Sequence, residues 1–163
     1  PNPQTVAPLV CSGVSENFNS LAILKALPFS VPGAAFTASS SANSLLSRIN
    51  LVFGSFDNLA TRALSPQGDL TITFDSDKNF ANIAVAGLFS TLVSQEVTID
   101  AYSSTGNLVA SSSRTPTNTA GIANLWREDV MTVNNVVFRK IVIGSSHVIP
   151  GTFLVDNLNA GCR

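Results

Sequence analysis

Apolar and polar residues alternate along much of this chain with a period of two. In Leu70-Thr71-Ile72-Thr73-Phe74, three apolar side chains point one way and two threonines the other. Val97-Thr98-Ile99-Asp100-Ala101-Tyr102 repeats the pattern, with Asp100 marking its solvent face. The run from Val137 to Ile143 is longer and more apolar, as a central strand is, and Phe153-Leu154-Val155-Asp156 closes the series. These are the signatures of half-buried antiparallel strands, and their β-branched and Phe residues suit a pleated, packed surface.

Turn residues fall between the runs. Ser103-Ser104-Thr105-Gly106-Asn107 reads as a hairpin loop in which Gly106 supplies positive φ. Pro66-Gln67-Gly68-Asp69 and the stretch from Pro28 to Gly33 are further turn clusters. Asp75-Ser76-Asp77-Lys78-Asn79 reads as a polar turn between two strands, and Ser111 to Asn124 as the longest loop, either a ligand-facing element or a connector. Helical candidates are short: Ser41 to Arg48, which loop and strand would explain equally well, and Ile122 to Glu128. No repeat of 20–50 residues is present, which removes solenoids and propellers. The pattern predicts an all-β fold, a jelly-roll-like sandwich of two antiparallel sheets with about eight to ten strands.

Composition adds location. The 163 residues fit one domain, and only 12% are charged, with a net charge of −1 and no basic run. The usual charged share is about a quarter, so solubility rests here on Ser, Thr and Asn. Without a basic stripe to neutralise phosphates, nucleic acid is not an expected partner. No stretch approaches the roughly 20 apolar residues of a membrane span. The chain begins at Pro1 with no signal sequence, the expected appearance of an exported protein after signal removal and equally of an excised segment. Residues 1–10 read as an extended arm or linker, with Pro1, Pro3 and Pro8 beside apolar Val6, Leu9 and Val10; residues 11–163 form the domain.

The two cysteines, Cys11 and Cys162, stand at opposite ends of that domain. In an exported β-domain with neighbouring terminal strands they are expected to form a disulfide; two buried thiols are the alternative. No CxxC pair or Cys/His cluster supports zinc or thioredoxin-type chemistry.

Three segments carry a resemblance. They are Glu16-Asn17-Phe18-Asn19-Ser20-Leu21 followed by Pro32-Gly33-Ala34-Ala35-Phe36-Thr37; the block from Leu70 through Tyr102 to Leu108; and the closing Phe153-Leu154-Val155-Asp156-Asn157-Leu158. In this order they resemble the carbohydrate-binding-module-like jelly-roll domains of bacterial exported and cell-surface proteins. The resemblance implies fold more than activity. It also implies that first and last strands are neighbours, where acidic groups can hold a structural calcium. Carried onto this chain, the metal candidates are Glu16 and Asp156, with backbone carbonyls and Asn17 or Asn157 completing the oxygen shell.

Catalytic chemistry finds little support. The single histidine, His147, lies in Gly144-Ser145-Ser146-His147 without a nucleophile-elbow frame. Asp75 with Asp77 and Glu128 with Asp129 are the close carboxylate pairs that glycoside cleavage would use. No Gly-rich phosphate loop occurs. For recognition, the only Trp and Tyr are Trp126 and Tyr102. Trp126 is the sharper candidate because Arg127, Glu128 and Asp129 follow it; a buried core anchor is the alternative role. The expected ligand-binding set is Trp126, Arg127, Arg114 and Asn118. These readings give a non-catalytic extracellular interaction module for adhesion or glycan contact. The alternative is a self-assembling subunit of a surface appendage, filament or matrix layer, in which copies associate through the N-terminal arm.

Overall fold

The computed structural model describes residues 11–39, 48–52, 54–59, 62–90, 93–146 and 153–163. The arm at residues 1–10, His147 and all but the last residue of the Ser41 to Arg48 segment lie outside them. The described residues form twelve strands: β1 (Val14–Glu16), β2 (Phe29–Val31), β3 (Ala34–Ala38), β4 (Arg48–Leu51), β5 (Arg62–Ser65), β6 (Leu70–Ser90), β7 (Val93–Ser94), β8 (Val97–Tyr102), β9 (Leu108–Arg114), β10 (Asn118–Ala120), β11 (Trp126–Ser145) and β12 (Phe153–Gly161). Every pairing is antiparallel.

Two long strands build both layers. β6 and β11 run 21 and 20 residues and pair with each other along their length. The start of β6 and the end of β11 lie in one layer, ordered β2-β3-β6-β11-β8-β9. Their other halves lie in the second, ordered β4-β5-β12-β6-β11-β10, with β1 on the far half of β12. Register shifts at Asn134–Phe138 and Phe138–Lys140 mark the corner. Bulges and bends of this kind let a strand change sheets. The hydrogen-bonded ladder is therefore continuous although the architecture is a sandwich, the jelly-roll-like arrangement that the sequence pattern predicts.

The core lies between the layers. Ile72, Phe74, Ile99, Ile141 and Ile143 of the first layer meet Ile83, Val85, Met131, Val133 and Val155 of the second. Phe18, Phe29 and Phe36 cluster at one end with centroids 5.2–6.2 Å apart, Phe29 and Phe36 stacked and Phe18 edge-on to both. β8 buries every second residue from Val97, as its sequence alternation requires. The hairpin from β8 to β9 turns at Gly106, whose φ is 86°.

Several expectations need correction. Asp75 to Asn79 is not a turn but a bulged stretch inside β6. Lys78 points inward there, fully buried, and donates to the Ser12 carbonyl and the Ser76 hydroxyl, each at 2.8 Å. Asp77 accepts from Arg139 at 2.9 Å. The stretch Ser111 to Asn124 is not one loop: β9 continues to Arg114, β10 pairs with β11, and only short connectors remain. Its serines lie on an exposed edge strand, where polar side chains are compatible with pairing on one side. Ile122 to Glu128 holds a single 3-10 turn at Ile122–Asn124 before β11 begins. The Pro28 to Gly33 cluster contains β2, so the turn narrows to Pro32-Gly33.

The termini meet as expected. β1 pairs with β12 from Val14↔Ala160 to Glu16↔Leu158, and just beyond, Cys11 and Cys162 form a disulfide with Cα atoms 5.8 Å apart. Among the described residues no helix is long and apolar enough to cross a membrane.

Candidate functional site

On the outer face of the second layer, small residues leave room for a covering segment. Ala63, Ala84, Ala86 and Leu154 form an apolar floor there, and Leu59, Val52, Phe56 and Trp126 pack on it. Residues 52 and 54–59 lie on this face between β4 and β5. Glu128, in β11 and wholly buried, holds the crossing: one carboxylate oxygen accepts from the Asp57 N–H at 2.8 Å and from the Asn58 N–H and side-chain amide, each at 2.9 Å. From β12, the Asn157 amide donates to the Asn58 carbonyl at 2.6 Å. The second carboxylate oxygen of Glu128 is buried without a hydrogen-bond partner. Burial raises the pKa of this carboxyl above the ordinary value, and Asp57 adds repulsion; the three N–H donors act in the opposite sense.

Beside the anchored segment is a groove of about 490 Å³. Phe56 and Trp126 form one wall edge to face, with centroids 6.1 Å apart. Ile23, Leu51, Val52, Ile122 and Leu154 supply aliphatic surface, and Asn50 a polar side chain. Ile122 is 59% exposed, Ile23 40% and Leu51 38%, although such side chains are normally inside. Two glycines permit the wall. Gly121, at φ 78°, lies against the Trp126 indole where a Cβ would collide with it, and its N–H donates to the Ser55 carbonyl at 2.7 Å. Gly54, at φ 91°, packs on the Gly121 backbone in the same way. Gly121→Ala should therefore lower stability by about 1–3 kcal/mol and displace Trp126, seen as a shifted indole fluorescence maximum together with a lower Tm.

The four expected ligand residues separate. Trp126 lines the groove. Arg127 turns away, its guanidinium 4.0 Å from the Phe89 ring centre and donating to the carbonyls of Asn124 and Trp126. Arg114 pairs with Asp129 at 3.1 Å, joining an edge of one layer to the other. Asn118 is exposed on β10, opposite Glu128 in register. The neighbours Glu128 and Asp129 occupy alternate strand positions and so face opposite ways; they do not converge as a carboxylate pair. Of the metal candidates, Glu16 accepts from the Phe18 N–H at 2.7 Å, and buried Asp156 from the Asn157 N–H at 2.8 Å. Among the described residues no three His, Cys, Asp or Glu side chains gather as a metal-binding group.

Sequence reasoning named Trp126 but missed the segment at residues 54–59 and the role of Glu128. The available signal was an acidic residue at an otherwise regular strand position, but its partners lie 70 and 71 residues away.

The sequence matches no protein-family model and no curated protein. Among solved structures, the K2 cleaved adhesin domain of Lys-gingipain is similar with a TM-score of 0.58 at 9% identity, covering 91% of this chain and 97% of that one. A family 6 carbohydrate-binding module gives 0.41 at 15% identity, covering 93% and 94%. The CBM22-1-CBM22-2 tandem domain from Paenibacillus barcinonensis gives 0.43 at 10% identity, covering 98% of this chain and 47% of that one. The adhesin-domain match spans nearly both chains and shows a shared fold, in keeping with the jelly-roll resemblance of the motifs.

Proposed function

We propose that this domain is a non-catalytic interaction module working outside the cell, in adhesion or glycan contact, and that it makes contact through the Trp126 groove. The observation that carries the reading is that groove: an aromatic wall and exposed aliphatic side chains beside an anchored segment. An apolar cleft with few polar groups suits the C–H face of a sugar ring or an apolar side chain of a surface protein. The similarity in fold to an adhesin domain is compatible with this role but does not assign it. The disulfide suits an oxidising location.

A glycan array and a cell-surface binding assay test the reading. Trp126→Ala should abolish the contact, and Ile122→Ser, at an exposed position, should weaken it about tenfold with Tm unchanged. Undiminished binding by folded Ile122→Ser and Trp126→Ala proteins would reject the groove.

A self-assembling role has one observation in its favour. β9 is a seven-residue edge strand, exposed along most of its length and paired among the described residues only with β8. Free edges of this kind add strands from neighbouring chains. Size-exclusion chromatography with light scattering separates the readings: a subunit elutes as an oligomer, and Ala110→Pro in β9 returns it to a monomer.

A further inference from the structure

The same outer face of the second layer continues past the covering segment into a different surface. Asn82, Thr132 and Asn159 alternate with the core residues Ile83, Met131, Val133 and Ala160 and so face outward. Register places Thr132, Asn82, Asn159 and Ser15 side by side on four strands, a width on the order of 14 Å at ordinary strand spacing. In the next row, Asn134 stands opposite Phe80. Asn is depleted in strands because it packs poorly there, so three in one patch need a reason beyond solvation. Asn82, Thr132 and Asn134 make no side-chain hydrogen bond to any described residue.

Among the described residues one cation stands in this patch. Arg163 lies over the Phe80 ring, 3.6 Å from its centre. Its backbone is fixed by Asn79, which accepts from the Arg163 N–H at 2.7 Å and donates to its carbonyl at 2.9 Å. No carboxylate of the described residues pairs with the guanidinium. Two depressions, of about 400 and 200 Å³, flank the stacked pair and share Phe80 and Arg163 as walls. No Asp or Glu of the described residues lines either one. Gly13 and Gly161 form part of the larger floor, so a ring can approach the backbone there.

We propose that this face is a second binding site, separate from the Trp126 groove, and that its ligand is an acidic glycan built from hexuronate residues. Planar amides both donate to and accept from sugar hydroxyls. The guanidinium, over the Phe80 ring and without a carboxylate partner among the described residues, receives a carboxylate through two parallel N–H bonds. An uncharged amide surface with one fixed cation is complementary to a hydroxyl-rich chain carrying spaced carboxylates.

Calorimetric titration of the whole chain with oligogalacturonate and oligomannuronate tests this, with methyl-esterified oligogalacturonate as the comparison. At least one acidic oligosaccharide should bind, and esterification should weaken oligogalacturonate binding about tenfold. Arg163→Gln should do the same. Asn82→Ala combined with Asn134→Ala should abolish binding with Tm preserved, whereas Ile122→Ser should leave it unchanged. Failure of both acidic oligosaccharides to bind, equal affinity for the ester, or full affinity in the folded double Asn variant would overturn the proposal. Because Ile122→Ser probes only the groove, failure of one site is distinguishable from failure of the other.

Discussion

Removing the Cys11–Cys162 bridge should lower the unfolding free energy by about 5 kcal/mol, the largest single effect expected in this domain. The two cysteines are 151 residues apart, so the bridge closes almost the whole described chain into one loop. A cross-link of that span removes much of the freedom of the unfolded chain, and stabilisation in the chain-entropy model grows with the logarithm of loop length. The folded state needs little adjustment to accommodate the bridge, because β1 and β12 are already paired beside it. Lys78 secures the same corner by donating to the Ser12 carbonyl. Denaturant unfolding of a Cys11→Ser/Cys162→Ser protein measures the loss. A change below about 1 kcal/mol would mean that the unfolded chain keeps its ends together without the bond.

Glu128→Ala should cost about 3 kcal/mol, because three N–H donors of the covering segment lose their shared acceptor at once. The effect should extend to the groove: without the anchor, Phe56 loses its fixed position against Trp126. Protease cleavage within residues 54–59 and quenching of the indole report that opening. The same carboxyl gives a pH signature. Its pKa is raised in the folded state, first by burial, so the native protein holds this proton more tightly than the unfolded chain. The stabilisation from protonation is fully present below the unfolded pKa and is lost as pH rises through the higher folded one. Stability measured across that interval should therefore fall with rising pH. Glu128→Gln, which preserves an acceptor oxygen, should flatten this part of the profile. A slope unchanged in the Gln variant would place the titration on another group.

Much of the fold was legible because strand alternation is a local property. The segments Leu70–Phe74 and Val97–Tyr102 each encode which side is buried within a few residues, and the structure buries those sides, whereas the more uniformly apolar Val137–Ile143 run does not, and its Val137 is exposed. The bulge at Asp75 to Asn79 was misread for the same reason. Its residues are those of a turn, and the structure keeps the strand going because Lys78 finds oxygen partners inside and Asp77 finds Arg139 across the corner. Ser76 is local, but the Ser12 carbonyl comes from the N-terminal segment and Arg139 from another strand. The serines of β9 likewise resemble loop residues until pairing with β8 gives their backbone a ladder.

Site residues divide along the same line. The sequence alone determined the class of fold, the position of four of the strands and the closure of the termini, since these follow from side-chain periodicity and from two cysteines with no competing partners. It also singled out Trp126 as the sole tryptophan. Only the tertiary structure decided that Trp126 forms a wall with Phe56, that Arg127 and Arg114 are committed to Phe89 and Asp129, and that Glu128 holds a segment 70 residues away. Those outcomes depend on which strands become neighbours when β6 and β11 bend between layers. Neighbour identity is set by packing of the whole core, and no local window of the chain contains it.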